Sequence, residues 1–319
     1  MSKKVAYIFP GQGSQAIGMG KDFYENSEFA KNLIDEMSEK TGINFVELMF
    51  SENKNLEQTE YTQPAILLVG YVALKLFEEK LKSENLENEI ELEAVLGHSL
   101  GEFTALTSVG ALDIESAIKL VNKRGNLMKN ACADINAGMM AVVGAKDEVI
   151  EEVCSQARSE GKKVWSANFN SDGQVVVAGI KEDLEAIEPV FKEKKAKRTV
   201  ILNMSVASHC ELLQPATAEL NAELENSIQE NFKVPVISNV TTEPYSSKAE
   251  AVELLTKQLI SPVKYTQSIL NIAEKVDLMI EFGHGVVLKG LNRRIVKTTP
   301  TLSVSDFKSL DTTIENLKS

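Results

Sequence analysis

The chain has 319 residues, 43% of them hydrophobic and 25% charged, which suffices for one large domain or two modest ones with a sizeable core. A formal net charge of −12 argues against non-specific binding to nucleic acid, whose phosphates such a surface repels. The opening MSKKVAYIFPG has too brief an apolar run for a secretory signal, and no stretch reaches the length of a membrane span, so a cytoplasmic location without membrane contact is expected.

In chain order, KVAYIF reads as a short strand ending in the loop PGQGSQ, followed by one long helical stretch from residue 22 to about 40. TQPAILLVGYVALKLFEEKL has Pro64 near its start and apolar residues on nearly every side, the pattern of a buried helix. EAVLGHS reads as a buried strand running into a turn, and LGEFTALTSVG as the helix that leaves it. Residues 138–202 then give strand, helix, strand, strand, helix, strand, which is the ferredoxin-like order. VPVISNV, the helix AEAVELLTKQLI and VDLMIEFG with another helix behind it complete the pattern. The expected fold is α/β: a hydrolase-like large domain with a parallel sheet, residues 1–131 and 203–319, interrupted by a small ferredoxin-like domain, residues 132–202. Cys132, Cys154 and Cys210 are odd in number and lack metal-ligand spacing, so reduced thiols are expected, with neither disulfide nor metal. No sustained heptad is evident, which favours a monomer.

Gly97-His98-Ser99-Leu100-Gly101 fits G-x-S-x-G between a buried strand and a helix, where the two glycines allow a turn tight enough to expose a serine oxygen. Ser99 is therefore the candidate nucleophile, and it needs a base. Three histidines are available. His98 adjoins the serine and would point away from it on a sharp turn; His284 lies in the glycine-flanked EFGHGVV; His209, in NMSVASHCELL, suits the Ser-before-His order of hydrolase-like sheets and is preferred over His284. Backbone amides for an oxyanion hole would come from Leu100, which follows the nucleophile, and from Gln12 in the loop after the first strand. That loop is a poor nucleotide motif, because Ala16 stands at the third glycine position and no Lys-Ser/Thr pair follows.

In IESAIKLVNKRGNLM, steps of 100° per residue gather Ala117, Ile118, Leu120, Val121, Leu127 and Met128 on one helix face, with Arg124 in its middle. A guanidinium there demands an anion, either an internal Asp or Glu or an anionic ligand. Only five residues of the chain are arginine, which favours a use for the planar bidentate fork. A second basic feature is the run KEKKAKR, containing Lys192, Lys194, Lys195, Lys197 and Arg198 in an otherwise acidic molecule; such runs are often solvated helix ends.

A serine, a histidine and a buried arginine together suggest an acyl donor with its own carboxylate. FPGQGSQ (9–15), GHSLGE (97–102), RG followed by LM (124–128), ANFNSDGQVVVAG (167–179), SVASH (205–209), QLISPVKYTQSI (258–269) and GLNRRI (290–295) occur here in an order that closely resembles the malonyl-CoA:acyl carrier protein transacylases. The resemblance implies that Ser99 takes the malonyl group as an ester, that His209 activates it, and that Arg124 pairs with the free malonyl carboxylate. It further implies that the amides of Gln12 and Leu100 form the oxyanion hole and that Gln258 orients the histidine through a main-chain carbonyl, making the machinery a dyad. No cofactor is implied, since CoA and phosphopantetheine thioesters are substrates. The acidic acyl carrier protein is the implied partner, which makes Lys194, Lys195, Lys197 and Arg198 a candidate docking surface, together with Arg293 and Arg294. Two positions depart from the family pattern: Ala207 stands where proline is common, and Gly283-His284-Gly285 replaces a Gly-Pro-Gly loop. An esterase for neutral acyl groups would have no use for Arg124, and a non-catalytic docking subunit would be expected to have shed the catalytic groups.

Overall fold

The computed structural model describes residues 2–202, 204 and 206–318. Residues 1, 203 and 319, which bound the expected domains, and Ser205 of the SVASH stretch lie outside them. Among the described residues there are ten strands: β1 (Lys3–Phe9), β2 (Ile90–Gly97), β3 (Ala137–Val143), β4 (Val164–Ser171), β5 (Gln174–Ile180), β6 (Arg198–Ile201), β7 (Val236–Ile237), β8 (Pro244–Tyr245), β9 (Leu278–Phe282) and β10 (Thr301–Val304). They form two sheets, one six-stranded in the order β10-β9-β1-β2-β7-β8 and one four-stranded in the order β4-β5-β3-β6.

In the larger sheet, β1 and β9 are buried along nearly their whole length and are apolar apart from the two lysines that open β1 and Glu281 on β9, as parallel strands covered on both faces require. β1 pairs in parallel with β2 and β9, and the register sets Phe9 beside Gly97, so the loop after β1 and the turn after β2 emerge together at the carboxyl edge. That edge is where open α/β sheets bind ligands. The expectation of a parallel sheet is corrected at one margin: β7 and β8 are antiparallel, so the sheet is mixed. VPVISNV contributes only the two-residue β7, because Ser238 and Asn239 turn their buried polar groups to side-chain and loop contacts instead of extending the ladder. The long helix expected over 22–40 is also two helices, Lys21–Asn26 and Glu28–Thr41, since the Ser27 hydroxyl accepts the Ala30 N–H and caps the second.

The smaller sheet is antiparallel throughout, and its strands are linked through helices Asp147–Ser159 and Lys181–Glu193. Ile150, Cys154, Leu184, Ile187 and Phe191 from these helices close one of its faces into a separate core. Two backbone hydrogen bonds join β4 to the larger unit, Phe169 N–H to the Val263 carbonyl at 2.9 Å and Val263 N–H to the Ala167 carbonyl at 2.8 Å. The three cysteines are buried and free. Among the described residues no helix is long and apolar enough to cross a membrane.

Candidate active site

β2 delivers its last residues into a turn that only glycine permits at two places. A Cβ on Gly97 would lie 1.9 Å from the Gly101 carbonyl carbon, and one on Gly101 would lie 2.0 Å from the Phe9 main-chain oxygen. Between them Ser99 adopts φ 52°, a left-handed conformation that costs a non-glycine residue energy and is sustained by surrounding bonds. The Ser99 N–H donates to Asn239 Oδ1 at 2.7 Å, and Asn239 Nδ2 donates to the Gly97 carbonyl at 2.7 Å, so one carboxamide spans the turn. Helix Gly101–Val109 starts immediately afterwards.

His209 also has a positive φ, 61°, and its Nε2 lies 2.7 Å from Ser99 Oγ. Its Nδ1 faces the Gln258 main-chain oxygen at 2.8 Å, an acceptor that places the ring proton on Nδ1 and leaves Nε2 free to accept from the serine. Burial, and then the positive charge of Arg124, push the imidazole down to about 3, so it is neutral at physiological pH. The departure at Ala207 leaves a fully buried residue whose carbonyl accepts Cys210 Sγ.

Helix Ile114–Ala131 begins at Asp113, whose carboxylate accepts the Ser116 N–H at 2.9 Å, and it buries the apolar face read from the sequence with Arg124 at 1% exposure. Among the described residues no Asp or Glu forms an ion pair with Arg124. Its Nη1 donates to Gln63 Oε1 at 2.7 Å, its Nη2 donates to Gln258 Oε1 at 3.1 Å and to Ser99 Oγ at 3.3 Å, and its Nε has no partner. The guanidinium lies 5.2 Å from the Phe103 ring centroid. Burial lowers it to about 10, with the charge of Glu102 opposing, so it stays a cation at neutral pH.

Gln12, Ser99, Leu100, Arg124 and His209 thus line one cavity of about 250 Å³, whose lining also includes Met139 and Val176 of the smaller sheet. Gln258 is buried behind it. Neither the Gln12 nor the Leu100 N–H donates to another described residue. His98 also lines the cavity, with Nε2 2.7 Å from Asn170 Oδ1 and its ring against Tyr265. His284 is half-buried and outside it. Lys194, Lys195, Lys197 and Arg198 are exposed and outside the cavity; Lys194 pairs with Glu152 at 4.0 Å. Arg293 and Arg294 are exposed on helix Val287–Ile295, with Arg294 Nη1 donating to Gln174 Oε1 at 2.9 Å. Among the described residues no three His, Cys, Asp or Glu side chains gather as a metal site. Gln63, Asn239 and Tyr245 escaped the sequence reading, and Glu102 closes the GHSLGE stretch without a role assigned to it, since nothing local marks a buried polar group whose partner is remote in the chain.

A hydroxyl bonded to a neutral imidazole, in a cavity with two spare backbone donors and a buried cation, is equipped for acyl transfer through serine. The family profile described as "Acyl transferase domain" matches residues 6–311. The malonyl CoA-acyl carrier protein transacylase of Bacillus subtilis (strain 168) is 38% identical over 317 residues, 99% of this chain and 98% of that protein. The crystal structure of malonyl-CoA:acyl carrier protein transacylase from Helicobacter pylori superposes with a TM-score of 0.94 at 45% identity, covering 100% of this chain and 99% of the other. A structure of a malonyl-transacylase in complex with its type II PKS acyl-carrier protein gives 0.92 at 35% identity, covering 98% and 99%. The chain belongs to the acyl transferase domain family and, within it, to the malonyl CoA-acyl carrier protein transacylases.

Proposed function

We propose that this chain transfers a malonyl group from malonyl-CoA to the phosphopantetheine thiol of an acyl carrier protein, in fatty acid biosynthesis, by way of a malonyl ester on Ser99. The observation that carries this reading is the convergence of His209 Nε2 and Arg124 Nη2 on the Ser99 hydroxyl, at 2.7 and 3.3 Å. The names of the relatives agree on donor and acceptor.

In the first half-reaction Ser99 Oγ attacks the thioester carbonyl while its proton passes to His209 Nε2. The tetrahedral oxyanion accepts the N–H groups of Gln12 and Leu100. Collapse breaks the C–S bond, and the imidazolium returns its proton to the CoA sulfur. In the second half the carrier thiol gives its proton to Nε2, the sulfur attacks the ester carbonyl, and collapse restores the Ser99 hydroxyl, which is a ping-pong scheme. Arg124 holds the malonyl carboxylate, fixing the ester for a thiol and against adventitious water. The Gln258 carbonyl supports the imidazolium through Nδ1–H. The pantetheine thiols are substrates, and the scheme calls on neither metal nor resident cofactor.

The same reading divides the chain into a hydrolase-like domain, residues 1–131 and 203–319, and a ferredoxin-like domain, residues 132–202. The order β4-β5-β3-β6 around two helices supports the latter. It treats the protein as a cytoplasmic monomer whose exposed Lys194, Lys195, Lys197 and Arg198, with Arg293 and Arg294, receive an acidic carrier. Reversing the charge of the lysine run should raise KM for the carrier and spare loading from malonyl-CoA; an unchanged carrier KM counts against that surface.

Intact-protein mass spectrometry after exposure to malonyl-CoA tests the central claim. Wild-type protein should gain one malonyl group and Ser99→Ala none. Failure of the wild type to gain it would refute the proposal.

A further inference from the structure

One fully buried carboxylate beside the cavity has no part in the scheme above. Glu102, in the first turn of helix Gly101–Val109, is 0% exposed and among the described residues makes no ion pair. Its Oε1 accepts the Tyr245 hydroxyl at 3.0 Å, and its Oε2 accepts the Asn239 main-chain N–H at 3.1 Å and Gln258 Nε2 at 2.8 Å. All three donors come from segments 137 to 156 residues away in sequence.

The polarity of these groups fixes their orientation. Oε2 already accepts the Asn239 main-chain N–H, so it presents an acceptor whether or not Oε1 carries a proton, and the Gln258 carboxamide turns its NH2 toward Glu102 and its oxygen away. That oxygen is the one Arg124 Nη2 reaches at 3.1 Å, while the NH2 also donates to the Ser99 carbonyl at 3.1 Å. A guanidinium offers only donors, so a Gln258 side chain turned over would oppose NH2 to NH2. Asn239, held by Glu102 through its main chain, is the residue whose carboxamide bridges the Ser99 turn. The Glu102 carboxyl therefore sits one carboxamide away from the guanidinium, where its ionised form offsets the cation's charge without occupying its N–H groups.

We propose that Glu102 is a positioning residue that fixes, through Gln258, the acceptor presented to Arg124 and, through Asn239, the Ser99 turn, and so sets the preference for acyl groups that bear a carboxylate. This rests on the malonyl-transfer reading and adds to it the group that orients the selecting cation.

Glu102→Met keeps an unbranched side chain of similar length and removes both acceptor oxygens, leaving the Gln258 carboxamide free to turn. Rates of Ser99 acylation from malonyl-CoA and from acetyl-CoA, followed by intact-protein mass spectrometry, give the readout. The malonyl-to-acetyl ratio should fall about tenfold to a hundredfold, the effect of losing one charge-assisted hydrogen bond. An equal loss for both donors, or an unchanged ratio in a folded variant, overturns the proposal. If Glu102→Met does not fold, Gln258→Met carries the test, because it retains the main-chain carbonyl facing His209 and removes the carboxamide. A similar fall in ratio then supports the relay, and a wild-type ratio overturns it. Absence of malonyl on the wild-type serine would instead sink malonyl transfer itself, which separates the two failures.

Discussion

Arg124 is a cation with 1% exposure whose two terminal nitrogens meet carboxamides and a hydroxyl, never a carboxylate, among the described residues. An isolated buried charge is costly, and uncharged acceptors offset that cost only in part. A ligand carboxylate in the cavity would complete the site, so Arg124→Ala should lower Ser99 malonylation about a hundredfold or more, as expected when one partner of a buried charge pair is removed. Acetylation should change far less. Parallel single-turnover labelling with the two thioesters checks this, and equal losses would mark a structural arginine. At this scale the sequence disclosed the residues whose chemistry conflicts with their surroundings: a charge on an apolar helix face, and a serine between obligatory glycines. The roles of Gln63, Asn239 and Glu102 stayed hidden, the last even though it closes the GHSLGE stretch, because each acquires meaning only from partners 61 to 156 residues away.

At the level of elements, the turn after β2 is where backbone economy makes a reactive position. The Gly101 Cα lies so close to β1 that an added Cβ would meet the Phe9 main-chain oxygen at 2.0 Å, a contact that neither strand can relax while both remain paired. Gly101→Ala should therefore destabilise the protein by about 4 kcal/mol or more, in the exceptional range for one substitution, and abolish labelling of Ser99. Denaturant unfolding checks it; near-wild-type stability would mean that the turn and β1 are less intimately packed. This strand-turn-helix unit was legible because β2 is apolar, the glycines punctuate it and the helix follows at once. The break at Ser27 was missed since a single hydroxyl cap decides it within a continuous helical periodicity. The antiparallel edge β8 was missed because two residues hold too little pattern to read.

Across the whole molecule, the groups that folding buries pull the pH dependence of stability in opposite directions. His209 falls from its ordinary 6.5 to about 3, so between those values the unfolded chain binds the extra proton and stability rises with pH. Glu102 and Glu281 are raised by burial from 4.5 to about 7, so the folded state holds the extra protons and stability falls as pH rises through that window. Glu281 isolates the second effect, because it lies on β9 outside the active cavity and accepts the Leu288 and Lys289 N–H groups at 2.9 Å each, at the start of helix Val287–Ile295. Those bonds and the Lys289 charge favour the carboxylate, but burial outweighs them. Below about 4.5 the acid is neutral in both states, and the difference in stability between Glu281→Gln and wild type reads only the exchange of acid for amide. Above about 7 the wild type also carries the cost of a buried charge, so the difference should move in favour of the variant by up to about 3 kcal/mol. Urea unfolding of both proteins at pH 4.5, 6 and 8 reads that slope directly. A difference that stays constant with pH would show that Glu281 is ionised at its ordinary value, and that the helix start repays its desolvation in full.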